Sequence, residues 1–168
     1  MEPTLRDCVA MLTESRRGSF VTGVCLEAQR RGIPVILDAD PAIPLDDKLF
    51  QASSQVGFSA EALHVTAGDS DDVAALRKVA ALTPAFVAVT NGADGMTWLD
   101  QAQEPRHMPA FPIHAVDTLG AGDVFHGAFT LAIAEKRPLE QAMRFSAAAA
   151  GLKCSRFGGA FGTRNVLK

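Results

Sequence analysis

The sequence predicts an α/β domain on a mostly parallel sheet, and three features carry that prediction. Short apolar runs alternate with longer amphipathic stretches along the whole chain. Residues 33–37 are β-branched and apolar at consecutive positions, as in a strand covered on both faces. The length, 168 residues with 48% hydrophobic side chains, fits one domain or one half of a larger enzyme.

Residues 9–12 read as a strand end and 13–18 as a polar turn. Across residues 19–31, Phe20, Val24 and Leu26 mix with Arg30 and Arg31 as on a surface helix, with Gly32 as its closing glycine. After the strand at 33–37, a short strand is expected at 56–58. A helix follows over 71–82, with acids in its first turn where the macrodipole favours them. Strands are expected at 86–90, 96–99 and 111–116, and helices at 121–135 and 139–153, with Pro138 between them. No repeat or linker divides the chain, so residues 1–168 read as a single α/β domain.

Lys and Arg number 16 against 19 Asp and Glu, a net charge of -3. A nucleic-acid binder is more usually basic, and the pairs Arg16-Arg17 and Arg30-Arg31 are too few for such a footprint. Cys8, Cys25 and Cys154 lie far apart and read as reduced thiols of a cytosolic protein. No run approaches the roughly 18 apolar residues of a membrane span, and residues 1–7 lack a signal-peptide layout. A cytoplasmic protein without nucleic-acid or membrane partners is the expectation.

Residues 117–125 read Asp-Thr-Leu-Gly-Ala-Gly-Asp-Val-Phe, after an extended apolar stretch and at the start of a helix. Glycines at such a turn let consecutive N–H groups converge on one point. The helix N-terminus adds positive potential, which suits a phosphate. Asp123 is awkward beside an anion unless it accepts a proton from an attacking hydroxyl. The alternative is a tight turn with Asp123 as a helix-terminal acid. A dinucleotide fingerprint needs Gly-x-Gly-x-x-Gly, and Phe125 stands at its last position.

This stretch resembles the second signature of the PfkB (ribokinase-like) carbohydrate kinases. The resemblance implies a three-layer α/β/α fold. It also implies ATP and Mg2+ as cofactors, a small sugar-like substrate, and Asp123 as catalytic base. The N–H groups around Gly120, Ala121, Gly122 and Asp123 would form the anion hole. Thr90, Asn91, Gly92 and Gly95 match the family's Thr-x-Gly-x-x-Gly turn at the nucleotide phosphates. Glu61 falls at the Glu of an Asn-x-x-Glu motif linked to magnesium through water. Many relatives hold K+ beside the hole, and its ligands would match Asp117, Leu119, Arg156 and Gly158.

The departures are Phe58 at the Asn of Asn-x-x-Glu, with Ser59 as a substitute donor, Ala147 at an adenine-side Asn, and His126 one step past the signature. Residues 56–63 with His126 look most like the sulfofructose kinase branch, which favours a keto-sugar or sugar acid; a nucleoside kinase stays open. The family's sugar-binding half and strand lid have no counterpart in residues 1–54, so the chain reads as the C-terminal, ATP-binding half. Its partner would be a missing N-terminal half or a second copy in a homo-oligomer. The rival class is a non-catalytic nucleotide-binding or assembly module.

Smaller features stay two-sided. Asp38 and Asp40 share a strand face and would touch metal or phosphate through water, or form a solvated strand end. Asp69, Asp71 and Asp72 read as solvated helix-terminal charge, and His126 as a packing or hydrogen-bonding residue. The Gly-rich loop 157–162 suits an adenine-pocket rim or a solvent loop.

Overall fold

Six strands form one sheet in the order β1-β2-β3-β4-β5-β6 in a computed structural model that describes residues 5–158. β1 (Met11–Glu14), β2 (Val35–Asp38), β3 (Gln55–Ser59) and β4 (Phe86–Thr90) run parallel; β5 (Met96–Leu99) and β6 (Pro105–Met108) extend the sheet antiparallel. Between the parallel strands lie α1 (Gly18–Arg30), α2 (Lys48–Ala52), α3 (Ala60–Ala67) and α4 (Asp72–Ala80); α5 (Ala121–Ala134) and α6 (Leu139–Cys154) close the chain.

Parallel strands laid down in sequential order with right-handed crossovers place every connecting helix on one face. That face carries Val35, Leu37, Val56, Phe58, Val87 and Val89, packed on Leu49, Phe50, Leu63, Leu76 and Val79 of the connecting helices. The opposite face carries Ile36, Met96, Trp98 and Met108, covered by Phe129 and Ala132 of α5 and Met143 of α6. The expected three-layer α/β/α arrangement with a mostly parallel sheet is what forms. Consecutive apolar residues in β2 follow from burial on both faces. No helix among the described residues is long and apolar enough to cross a membrane.

Register positions the site. Asp38 pairs with Gly57, and Gly57 with Ala88. With a side-chain period of two, all three face α5 and α6 alongside Ile36.

Several expectations are corrected. The residues expected as a polar turn at 13–18 split between the end of β1, a 3-10 turn (Ser15–Arg17) and the first residue of α1. Residues 111–116 form no strand. At its end the run turns to a helix terminus, the Val116 N–H donating to the Cys154 carbonyl at 2.7 Å, while Phe111 and Ile113 lie against Gly151 of α6. The strand forms earlier, as β6, at an exposed edge where Pro105 costs no ladder bond. α2 and α3 were not expected; each opens on a side-chain cap, Asp47 accepting from the Leu49 N–H and Ser59 from the Ala62 N–H.

Candidate active site

β2, β3 and β4 end at Asp38, Ser59 and Thr90, and the N-terminus of α5 meets that edge of the sheet. Ligands of open α/β sheets gather at the carboxyl ends of the strands. The turn into α5 is set by Gly120, left-handed at φ 75° and ψ 13°. Asp117 Oδ1 accepts from the Leu119 N–H at 3.0 Å, and the Ala121 N–H donates to the Thr118 carbonyl at 3.1 Å. The N–H groups of Gly120, Gly122 and Asp123 have no partner among the described residues. First-turn amides lack intrahelical acceptors and sit at the positive end of the helix. Of the four amides expected as an anion hole, that of Ala121 is spent locally and the other three stay open. Asp123 is exposed in the first turn, and its Oδ2 lies 3.6 Å from where a Cβ on Gly120 would stand. Its carboxylate thus folds back over the turn.

Behind the turn, His126 is 4% exposed. Its Nδ1 is 3.0 Å from the Gly122 carbonyl and 3.3 Å from Asp38 Oδ2. The carbonyl can only accept, so the proton belongs on Nδ1. Nε2 is buried without a partner among the described residues, against the bare backbone of Gly57. Burial pushes the Asp38 carboxyl above the usual aspartate range; His126 opposes this, while Asp40, Asp123 and Glu14 add to it. The packing and hydrogen-bonding role expected of His126 is what the geometry supplies.

The turn after β4 is tied on both sides. Thr90 Oγ1 donates to the Phe58 carbonyl at 3.2 Å, and the Asn91 N–H to the Gly95 carbonyl at 2.7 Å. A Cβ on Gly95 would overlap the Met108 carbonyl oxygen, so glycine there permits close approach of the chain leaving β6. Gly92 is exposed, its backbone open to a ligand. Sequence reasoning missed the clamp on this turn: Asp72 Oδ2 accepts from Asn91 Nδ2 at 2.6 Å, while its Oδ1 meets His64 Nε2 at 2.7 Å. Asp71 caps α4 through the Ala74 N–H, and Asp69 pairs with Lys78.

For a magnesium ion the donor set is sparse. No group of three or more His, Cys, Asp or Glu side chains is placed to hold a metal among the described residues. Mg2+ keeps several waters and takes one or two carboxylates plus substrate phosphates. An exposed Glu61 in the first turn of α3 fits that use. Phe58 is buried on the far face of the sheet and cannot replace the family's Asn, while the Ser59 hydroxyl caps α3 and keeps its proton and a second lone pair.

The residues do not fit a bound potassium ion. Lys153, 4% exposed, places its Nζ 3.0 Å from the Asp117 carbonyl oxygen and 3.3 Å from Asp117 Oδ2. Gly158 turns its N–H, not its carbonyl, to Asp117 Oδ2 at 3.0 Å. The Leu119 N–H, then the Gly158 N–H, then Lys153 hold the Asp117 carboxyl below the usual aspartate range. Arg156 bonds back to the Lys153 carbonyl. In the loop expected at 157–162, residues 159–162 lie outside the described residues.

Comparison with known proteins bears on the fold and the family. The chain is 33% identical over 150 residues to a ribokinase of Bacillus subtilis, covering 88% of this chain and 50% of the relative. Its structure is similar to that of Arabidopsis thaliana ribokinase complexed with ribose and ATP, with a TM-score of 0.84 and 27% identity over 94% of this chain and 54% of that one. It is also similar to the crystal structure of Thermotoga maritima ribokinase, with a TM-score of 0.82 and 26% identity over 98% and 58% of the two chains. The chain spans about half the length of these relatives. Residues 24–165 match the pfkB family carbohydrate kinases, and the chain belongs to that family.

Proposed function

We propose that this chain carries the ATP-binding and phosphoryl-transfer part of a sugar kinase, with Asp123 as its catalytic base. The observation that carries the reading is the set of N–H groups on Gly120, Gly122 and Asp123 without a partner among the described residues, with the Asp123 carboxylate turned toward Gly120. The turn held by Asn91 and opened by Gly92 would receive the ATP phosphates. The sugar hydroxyl gives its proton to Asp123 as its oxygen bonds the γ-phosphorus, and the bond from that phosphorus to the departing ADP oxygen breaks. The three amides neutralise charge that grows on the equatorial oxygens in a loose transition state. Mg2+, held through water by Glu61, would supply further neutralisation of the phosphates. Ribose is the first sugar to try, because the similar ribokinases carry it in their names.

Asp123→Asn tests the reading. Phosphoryl transfer from ATP to a sugar panel by the whole chain should fall by about 10²–10⁴ with ATP affinity little changed. Near-normal turnover in the variant would refute the base. ATP binding by the unaltered chain without transfer to any sugar would favour the nucleotide-binding module.

A further inference from the structure

We propose that the Lys153 ammonium is a built-in cation for the turn at residues 117–120, so that the phosphate site works without a bound monovalent metal ion. The proposal rests on reading that turn as the phosphoryl-transfer site. Three observations carry it. The ammonium is buried, with 5% of the side chain exposed, and a buried charge needs a partner. Its polar contacts among the described residues are both on Asp117, the backbone carbonyl at 3.0 Å and Oδ2 at 3.3 Å, so it bonds the residue that opens the turn. Asp117 in turn fixes the Leu119 N–H, one residue before the left-handed Gly120 and the open amides. A potassium ion here would need the carbonyl and carboxylate oxygens that the ammonium already engages. Potassium and ammonium carry the same charge, but only the ammonium is covalently fixed, at the last turn of α6 where the helix dipole favours a cation.

Lys153 is thus a positioning residue, acting on the phosphate site through Asp117. A purely structural tie would leave the site's dependence on added cations unaltered when removed, which separates the two roles. The test compares the whole chain with Lys153→Met in KCl and in choline chloride at equal ionic strength, reading Mg-ATP affinity by calorimetry and the melting temperature. The unaltered chain should bind ATP equally, within about twofold, in both salts. Lys153→Met should bind about tenfold more weakly in choline chloride, the scale of one lost charge contact, and recover part of that loss in KCl. A tenfold gain on adding KCl to the unaltered chain would overturn the proposal, as would full affinity of the variant in choline chloride. Should the variant not fold, crystals of the unaltered chain soaked in thallium(I) decide. A thallium peak bonded to the Asp117 carbonyl oxygen overturns the proposal, and its absence supports it. If the unaltered chain binds no ATP in either salt, the kinase reading fails, and the melting temperature still decides. Equal values in the two salts support the built-in cation, and a rise specific to potassium overturns it.

Discussion

Replacing Gly57 with alanine tests how the site is braced. A Cβ at this position would fall inside van der Waals contact with His126 Nε2, with Cδ2 at 3.2 Å and Cε1 at 3.5 Å. Elsewhere in a strand, alanine is favoured over glycine by roughly 0.5–1 kcal/mol, because glycine loses more backbone freedom on folding. Here the imidazole must move, and it is neither exposed nor loose, being held by Nδ1 at 3.0 Å to Gly122 and 3.3 Å to Asp38. Losing both contacts costs about 1 kcal/mol each. Overpacking a filled site adds about 1–3 kcal/mol. Setting the strand gain against these leaves Gly57→Ala destabilising by about 2–4 kcal/mol. The assay is urea unfolding of the unaltered chain, Gly57→Ala, His126→Ala and the double variant. With the ring gone, the alanine at 57 should cost less than about 0.5 kcal/mol or stabilise, so the two changes are strongly non-additive. A Gly57→Ala midpoint equal to that of the unaltered chain would refute this reasoning, as would the same penalty in the His126→Ala background.

Two further outcomes follow from the ion pairs. The Asp117 carboxyl is depressed in the folded state, so its contribution is fully present above the ordinary aspartate value of 3.8 and is lost as the pH falls through the lower folded value. Asp117→Asn should therefore differ from the unaltered chain most at neutral pH, and the two unfolding curves should converge in acid; a gap that stays constant down to acid would sink the assignment. Asp72→Ala releases both Asn91 and His64, so amide hydrogen exchange over residues 91–95 should quicken by about tenfold while β4 stays protected. Unchanged exchange in that turn would show that Asp72 does not hold it.

What could be read from sequence was local. β4 and β5 are apolar runs separated by the turn at residues 91–95, and both fall where the pattern puts them. The turn into α5 was legible because glycines mark backbone that other residues rarely adopt. β6 was not, since Pro105, Arg106 and His107 are exposed at an antiparallel edge and show no apolar alternation. The run at 111–116 misled for the opposite reason: Phe111 and Ile113 pack on α6, and the Val116 amide bonds the Cys154 carbonyl, uses that periodicity does not distinguish from a strand. Long-range partners left no trace. Lys153 reads as an ordinary basic residue at a helix end, until the fold brings Asp117, 36 positions earlier in sequence, against its ammonium. Gly57 reads as a weak point in a strand, until His126 is seen to fill the space it leaves.

The carboxylates around the α5 turn differ in what they are bonded to, and that difference singles out one of them. Asp117 accepts from two backbone N–H groups and pairs with Lys153. Asp38 is half-buried and meets His126, its carboxyl raised by the burial. Both are committed to holding the turn, Asp117 through Lys153 of α6 and Asp38 from the sheet. Asp123 has neither hydrogen bond nor ion pair among the described residues, and it is exposed. An acid left unbonded beside open amides repels the anion those amides attract, and the helix dipole, which favours an acid in the first turn of α5 by about 0.3–1 kcal/mol, is the one stabilising role the fold gives it. Asp123→Asn should accordingly cost no more than about 1 kcal/mol of unfolding free energy, the scale of a lost helix-dipole contact at an exposed position. Coupled with a large loss of phosphoryl transfer, that would separate the group that does the chemistry from the two that hold it in place. A destabilisation of about 2 kcal/mol or more would instead assign Asp123 to the scaffold and remove the argument for it as the base.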